Sequence, residues 1–348
     1  MILGRAAFAS FFAILGVLLV SSGPPLPRWA FDPDREEGIH GGVEVEWWYH
    51  YGFVSDDAGG EWAVFSSFFR AQRKGLPLSR YLLYDLIDLR TGAGDFRSRL
   101  GSEALPLVLL GSSKSTLSPP HAAIAGLPLE KAGDPLKLTY GDGHFLEQTG
   151  RRAYRLRTGD VDLELRAVSD PMAIEGTGLT GVERIDEMRY YTIPRLEAKG
   201  SVKGRPVHGM LWYDHQWGSG CTGPGRGWAW WGLQLEDGTN VNAYVLRETP
   251  SGAVRKAVLT RGSQVYPLEA EAVEWWESPR RIRYPVAWRL AGGGLELRVE
   301  PLARNREVPL VGDTDTLWEG PVRVTGSVRG RGFQELVGYA RERKKRED

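Results

Sequence analysis

The 348-residue chain has one cysteine. A single thiol excludes an internal disulfide and any metal site built on a cysteine cluster. It falls in Gly218-Ser219-Gly220-Cys221-Thr222-Gly223, which has the composition of a loop. An excess of one charge is missing as well: Lys+Arg and Asp+Glu both number 44. No basic run interleaves with aromatics, so nucleic acid is not an expected partner. No segment carries a sustained apolar stripe at helical spacing. The six histidines show neither His-x-His nor His-x-x-x-His spacing, and Gly-x-Ser-x-Gly is absent, which weakens a serine-hydrolase reading. Gly176-Thr177-Gly178-Leu179-Thr180-Gly181 matches the dinucleotide glycine pattern by letter, but no strand and helix flank it, and it reads as a loop. The expectation is therefore no metal and no cofactor.

What the chain has is tryptophan and glycine, 13 and 44 residues. That mixture suits strands, tight turns and an apolar pocket. The densest stretch is Met210-Leu211-Trp212-Tyr213-Asp214-His215-Gln216-Trp217-Gly218. As a strand it places His208, Met210, Trp212, Asp214 and Gln216 on one face, and Val207, Leu211, Tyr213, His215 and Trp217 on the other. Neither face is polar enough for solvent, so both are expected to be covered. A covered acid needs a partner or stays protonated. Asp214 is then either a proton donor beside indole rings or an acceptor that ties down the turn at Gly218.

In chain order, residues 1–22 read as a signal peptide or N-terminal anchor: Arg5 precedes the apolar run Ala6 to Val20, too short for a spanning helix. Export to a periplasmic or envelope compartment is the expectation. Residues 23–39 read as a linker. Strand candidates then follow at Glu46 to Phe53, Glu61 to Ala71, Arg80 to Leu89, Leu136 to Tyr140, His144 to Glu147, Arg152 to Arg157 and Val161 to Ala167. Residues 101–135 read as a long loop. The second half offers a hairpin of Gly227 to Leu235 and Val241 to Arg247, then Tyr266 to Trp276, Val286 to Leu290, Leu295 to Glu300 and Val322 to Ala340.

The halves are related. Gly200-Ser201-Val202-Lys203-Gly204-Arg205 matches Gly326-Ser327-Val328-Arg329-Gly330-Arg331, and each half opens on a tryptophan pair, Trp47-Trp48 and Trp230-Trp231. This reads as a duplication, with domains at 40–219 and 220–342 and a charged tail at 343–348. Where the first copy has Trp212, Asp214 and His215, the second has Gly338, Ala340 and Arg341. The hairpin is architecture; what one copy adds is a candidate for function. Trp47, Trp48, Trp212, Trp217, Trp228, Trp230 and Trp231 read either as plain core or as the wall of an apolar ligand pocket, where indole faces could stabilise a cation. Glu46, His50, His208 and His215 are the ionisable groups near these rings. Glu183, Arg184 and Asp186 read as a solvated loop.

Glu46-Trp47-Trp48-Tyr49, Tyr190 to Leu196, Trp212 to Gly218, Gly227 to Leu235 and Leu317 through Tyr339 together resemble the AttH / hydroxyneurosporene synthase (carotenoid 1,2-hydratase-like) family. The resemblance covers about residues 40 to 340, with several motifs in order. It implies an all-β chain of two lipocalin-like (calycin) β-barrel domains with a ligand cavity in or between them. The hydratase branch adds water to a terminal carotenoid double bond without a cofactor, through an acid in a Tyr-x-Asp motif. That acid carries over to Asp214; the first tyrosine of the motif is Trp212 here, a form more similar to the AttH branch. Related fungal proteins act as polyketide cyclases. The expectation is an exported protein that holds a hydrophobic small molecule or lipid, as a hydro-lyase or cyclase. Asp214, His215 and Tyr213 would be catalytic, and Trp212, Trp217, Trp230, Trp231, Trp48, Glu46, His208 and His50 would line the ligand. A non-enzymatic envelope carrier or chaperone for lipid or lipoprotein, associated with the membrane surface or a transporter, is the alternative.

Overall fold

The computed structural model describes residues 31–73, 76–101, 122–125, 135–141, 143–182, 187–218, 226–249, 251–309 and 316–340. The segment 1–22, Cys221, the acidic loop at Glu183, Arg184 and Asp186, and the tail 343–348 lie outside them, as does most of 101–135. The described chain is almost entirely strand and divides into two compact units, one carrying β1–β13 and the other β14–β23.

The first unit comprises β1 (Val45–Ser55), β2 (Glu61–Arg73), β3 (Leu76–Asp88), β4 (Arg97–Gly101), β5 (Ala122–Ala125), β6 (Lys137–Thr139), β7 (Phe145–Gly150), β8 (Ala153–Thr158), β9 (Val161–Ala167), β10 (Met172–Ala173), β11 (Leu179–Thr180), β12 (Met188–Val202) and β13 (Arg205–Gly218). Their order across the sheet is β5-β4-β3-β2-β1-β13-β12-β9-β8-β7-β6. The region read as a long loop thus contains one strand, β5, which pairs parallel to β4. The sheet curls on itself. Tyr84 of β3 meets His144 before β7 at a ring separation of 4.8 Å, and Phe68 of β2 meets Tyr140 at 5.4 Å. Inner-face residues from both ends of the sheet, such as Leu82 and Leu146, accordingly share one core.

The second unit comprises β14 (Arg226–Leu235), β15 (Asn240–Glu248), β16 (Val254–Arg261), β17 (Gln264–Pro267), β18 (Glu269–Glu277), β19 (Arg283–Gly292), β20 (Leu295–Pro301), β21 (Glu307–Pro309), β22 (Thr316–Gly326) and β23 (Gly330–Val337). Their order is β17-β16-β15-β14-β23-β22-β20-β19-β18. The succession β14-β23-β22-β20 repeats β1-β13-β12-β9. Gly200 and Gly326 occupy matching places: a Cβ on either would strike a backbone carbonyl of the neighbouring strand, that of Asp162 in β9 or Glu296 in β20. The long segment Val322 to Ala340 is not one strand but the end of β22, a turn and β23. Both units are all-β half-barrels of the lipocalin-like kind.

Two features place the site residues. Strand β1 pairs with β13 along its full length, with Glu46 opposite Trp217, Trp48 opposite His215, and His50 opposite Tyr213. Strand β12 carries a bulge between Ile193 and Leu196, at Pro194, where a strand can spare an N–H donor. Before the bulge β12 faces β10 and β11; after it, β9. The bulge lets Tyr191, Ile193, Leu196 and Ala198 all face the core.

Strands β1 and β13 approach closely at Gly52 and Gly209. A Cβ at Gly52 would collide with the Met210 carbonyl and the Leu211 Cα, and one at Gly209 with the backbone of Phe53 and Val54. Gly52→Ala should therefore destabilise the first unit by about 1–3 kcal/mol, the range of an overpacked core. A chemical-denaturation midpoint equal to wild type would contradict this.

Candidate functional site

Alternation along β1 and β13 sorts the candidate residues onto opposite faces of one sheet. Glu46, Trp48, His50, Tyr213, His215 and Trp217 face inward. Trp212 and Asp214 face the other way, and all eight are buried. Asp214 is therefore not on the same side as His215, Tyr213 or Trp48. A mechanism in which Asp214 donates a proton while Trp48 steadies the cation and His215 orients water is ruled out by that parity. His208 shares the face of Asp214, but it is exposed and lies six residues back, about 20 Å along an extended strand, so it does not join the site. Trp231 and Trp230, in the second unit, also split. Trp231 enters that unit's core and donates to Gln334 Oε1 at 2.7 Å, whereas Trp230 lies opposite Glu335 on the other face.

On the face of Asp214, the carboxylate accepts hydrogen bonds from an indole and a phenol. The Trp212 indole N–H donates to Oδ1 at 2.8 Å, and the Tyr190 hydroxyl donates to Oδ2 at 2.8 Å. Trp212 is stacked on Tyr51 at 5.8 Å.

On the inner face, six hydrogen bonds form one chain. Glu36 Oε2 meets His40 Nε2 at 2.7 Å, and His40 Nδ1 meets Glu46 Oε1 at 2.7 Å. The same Glu46 oxygen meets His215 Nε2 at 3.0 Å. His215 Nδ1 faces the Tyr191 hydroxyl at 3.4 Å, and that hydroxyl donates to Glu37 Oε1 at 2.7 Å. The Tyr213 hydroxyl donates to Glu37 Oε2 at 3.2 Å. Arg70 supports Glu46 Oε2 at 3.2 Å. The rings are fixed by stacking: His40 on Trp217 at 4.2 Å and His215 on Trp48 at 4.9 Å.

The charges follow from these contacts. Burial opposes the charge on Glu46, yet hydrogen bonds from His215 and His40 hold its carboxyl below the usual range. Burial also opposes the charge on His40, but Glu36 and Glu46 push it up to about 9. Burial wins at His215, which falls to about 4 despite Glu46. A carboxylate only accepts, so neutral His215 carries its proton on Nε2, and Nδ1 is left facing a tyrosine whose own proton goes to Glu37. Burial first, and the Glu37 charge second, raise Tyr154, Tyr191 and Tyr213 well above the ordinary phenol range, so all three remain donors. His40, Glu46 and His215 also form a group able to offer three ligand atoms to a cation, but two imidazoles, a backbone N–H and Arg70 already engage the Glu46 carboxylate.

Glu37, His40 and Tyr190 are among the residues of this site that escaped the sequence. Glu37 lies in the stretch read as a linker, where nothing periodic marks it as buried; the apolar Ile39, also in the core, is the nearest clue. His40 precedes the first recognisable strand. Tyr190 was visible only as part of a motif, and its pairing with Asp214 needs the β12–β13 register.

His50 is buried completely, and burial pushes it down to about 3. A histidine neutral in the fold but free to protonate when unfolded contributes stability above the ordinary value of 6.5, and loses it as pH falls toward the folded value. His50 and His215 should together make stability drop between about pH 6.5 and 4, by up to about 1.4 kcal/mol per pH unit for each ring. Glu335, whose buried carboxyl is pushed up to about 7, gains stability over part of the same window and offsets about one ring's share. Urea midpoints across pH should show the net fall, and His50→Phe should remove one ring's share of it; a His50→Phe profile identical to that of wild type would refute the assignment.

Comparison with known proteins places this geometry in context. A family model described as AttH-like matches residues 121–339. The solved structure of an AttH protein from Nitrosomonas europaea superposes with a TM-score of 0.74 at 23% identity, covering 91% of this chain and 99% of that one. The structure of kievitone hydratase from Nectria haematococca superposes at 0.65 with 17% identity, covering 90% and 93%. In sequence, kievitone hydratase of Fusarium solani subsp. phaseoli is 23% identical over 167 residues, which are 42% of this chain and 47% of that protein. The chain thus spans about half the length of the curated relative it matches. The structural likeness carries the fold, and the family match covers well over half of the sequence, on both sides of the boundary between the two units: this chain belongs to the AttH-like family.

Proposed function

We propose that the chain is an exported hydratase-type enzyme that adds water to, or removes it from, a long apolar ligand of isoprenoid or lipid character, with Asp214 as general acid. The observation that carries the reading is the way Asp214 is held. An indole N–H is donor only, so Oδ1 stays an acceptor in either protonation state. A phenol both gives and takes, so the proton between Tyr190 and Oδ2 can reside on either oxygen. The pair is buried.

In hydration, a proton from this pair forms a C–H bond at one alkene carbon, and positive charge develops on its neighbour. The indole of Trp212 and the ring of Tyr51 are the faces that would steady it. The oxygen of a water forms the C–O bond, and the proton that water sheds returns to Asp214. The sum is H and OH added, with nothing oxidised or reduced. Dehydration is the reverse. Likeness to a kievitone hydratase supports water addition as the reaction class, while the ligand class rests on the aromatic surroundings. Export rests on the character of residues 1–22.

Incubation with an apolar alkene extract in ¹⁸O-water should give a product heavier by one labelled water. Asp214→Asn should lower that turnover by about 10²- to 10⁴-fold, the usual contribution of a positioned acid, with ligand binding changed little. Tyr190→Phe should cost less, about tenfold, because Asp214 remains. If wild-type protein returns the ligand bound but unlabelled, the chain is a carrier. If Asp214→Asn incorporates label like wild type, the acid is elsewhere.

A further inference from the structure

Folded proteins leave few buried polar atoms unpaired, and each one calls for an explanation. The inner face of the first unit holds three in one neighbourhood. Both ring nitrogens of His50 and the Ser66 hydroxyl make no hydrogen bond with a protein group, while the nearby Tyr154 hydroxyl interacts with the Glu37 carboxylate. His50 and Ser66 are register partners across β1 and β2, and both are completely buried. The rings of Tyr213 and Tyr154 lie 4.8 Å and 6.3 Å from that of His50, and 5.2 Å from each other. Apolar residues of the same core, among them Phe68, Ile193 and Leu211, surround them. The second unit offers a contrast. There the Glu307 carboxylate is met by the hydroxyls of Ser278, Tyr284 and Thr316.

We infer that the interior of the first unit is a second binding site, on the opposite side of β13 from Asp214, which takes a neutral and largely apolar molecule through a hydroxyl group at His50 and Ser66. The chemistry of the unpaired atoms selects the guest. A neutral imidazole has one donor and one acceptor to satisfy; a hydroxyl supplies both complements, a carbonyl only one, and an ammonium only the other. A carboxylate guest would meet the charge of Glu37, whose oxygens are already taken by Tyr191 and Tyr213. Complete burial penalises any guest that carries a charge. A hydrocarbon would leave all three atoms unpaired, so the site should reject it in favour of the matching alcohol.

This site uses neither Asp214 nor the hydratase reading, and its test is separate. Phenol, a small neutral aryl alcohol, is titrated calorimetrically into the full chain beside benzene, benzoate and benzylamine. Phenol should bind saturably at one site, and each of the other three at least about tenfold more weakly. His50→Phe, which keeps a ring and removes both nitrogens, should abolish phenol binding. Ser66→Ala, a smaller change that keeps the proposal testable if the first variant fails to fold, should weaken it about five- to tenfold. Indifference of phenol binding to Ser66→Ala and His50→Phe would overturn the site. So would equal binding of benzene, an equal loss on Asp214→Asn, or a high-resolution structure in phenol with only ordered water at the His50 ring nitrogens and the Ser66 hydroxyl.

Discussion

The buried carboxylate of Glu46 is the contact on which the first unit depends. It is fully shielded, and three elements besides its own strand reach it. His215 reaches it from β13, Arg70 from β2, and His40 from the segment that precedes β1. A lone buried anion is costly, and one with hydrogen-bonding cations and donors on both oxygens is tolerated. Because the partners lie on different strands, the carboxylate is satisfied in one register only. A slip of one residue between β1 and β13 would turn Glu46 to the opposite face and leave His215 and Arg70 behind. The apolar pattern sets which face is buried; the polar set allows a single alignment.

The same parity divides the chemistry. Trp212 and Asp214 alternate with Tyr213 and His215 along β13, so two polar clusters lie back to back across one sheet with no route through it. On one side a carboxylate is held by a phenol and an indole. On the other, a chain of carboxylates, imidazoles and phenols runs from the partly exposed His40 and Glu36 to the fully shielded Tyr213. The two can differ in role because they differ in environment. Asp214 meets a phenol able to exchange a proton with it, whereas Glu46 is saturated by donors that keep it ionised. The first arrangement suits proton delivery and the second suits holding a structure rigid around an interior space.

Much of this architecture was legible in the sequence, and the reason is periodicity. Period-two alternation in Glu46 to Phe53 and Met210 to Gly218 gave the strands and, correctly, the two faces of β13. The repeated Gly-Ser-Val hairpins gave the duplication, which the matching strand orders bear out. What alternation does not give is pairing between distant segments. Grouping Asp214 with His215 and Trp48 followed proximity in sequence and common motif, and both are blind to the pleat. Glu37 and His40 were out of reach because an irregular segment has no period to read. The bulge at Pro194 was equally hidden, since one extra residue reverses the parity of everything beyond it.

The duplication separates what the fold requires from what one copy adds. Each unit keeps an inward tryptophan on its first central strand, Trp48 or Trp231, fully buried in both. Each also keeps a glycine pressed against a neighbouring backbone near the hairpin, Gly200 or Gly326. These are packing and close-approach constraints, and they recur because the sheet cannot curl without them. Each unit also buries an acid under hydroxyls, Glu37 in the first and Glu307 in the second. In the second, hydroxyls meet Glu307 and the Trp231 indole meets Gln334. In the first, a neutral histidine and a serine hydroxyl find no protein partner. Stability alone gives no reason for that difference, because replacing unpaired polar groups by apolar ones of similar shape is neutral or favourable. Unpaired polar groups retained at such a cost, in one copy of a repeated fold whose other copy pairs its Glu307 and Gln334, are what a site for a guest molecule looks like.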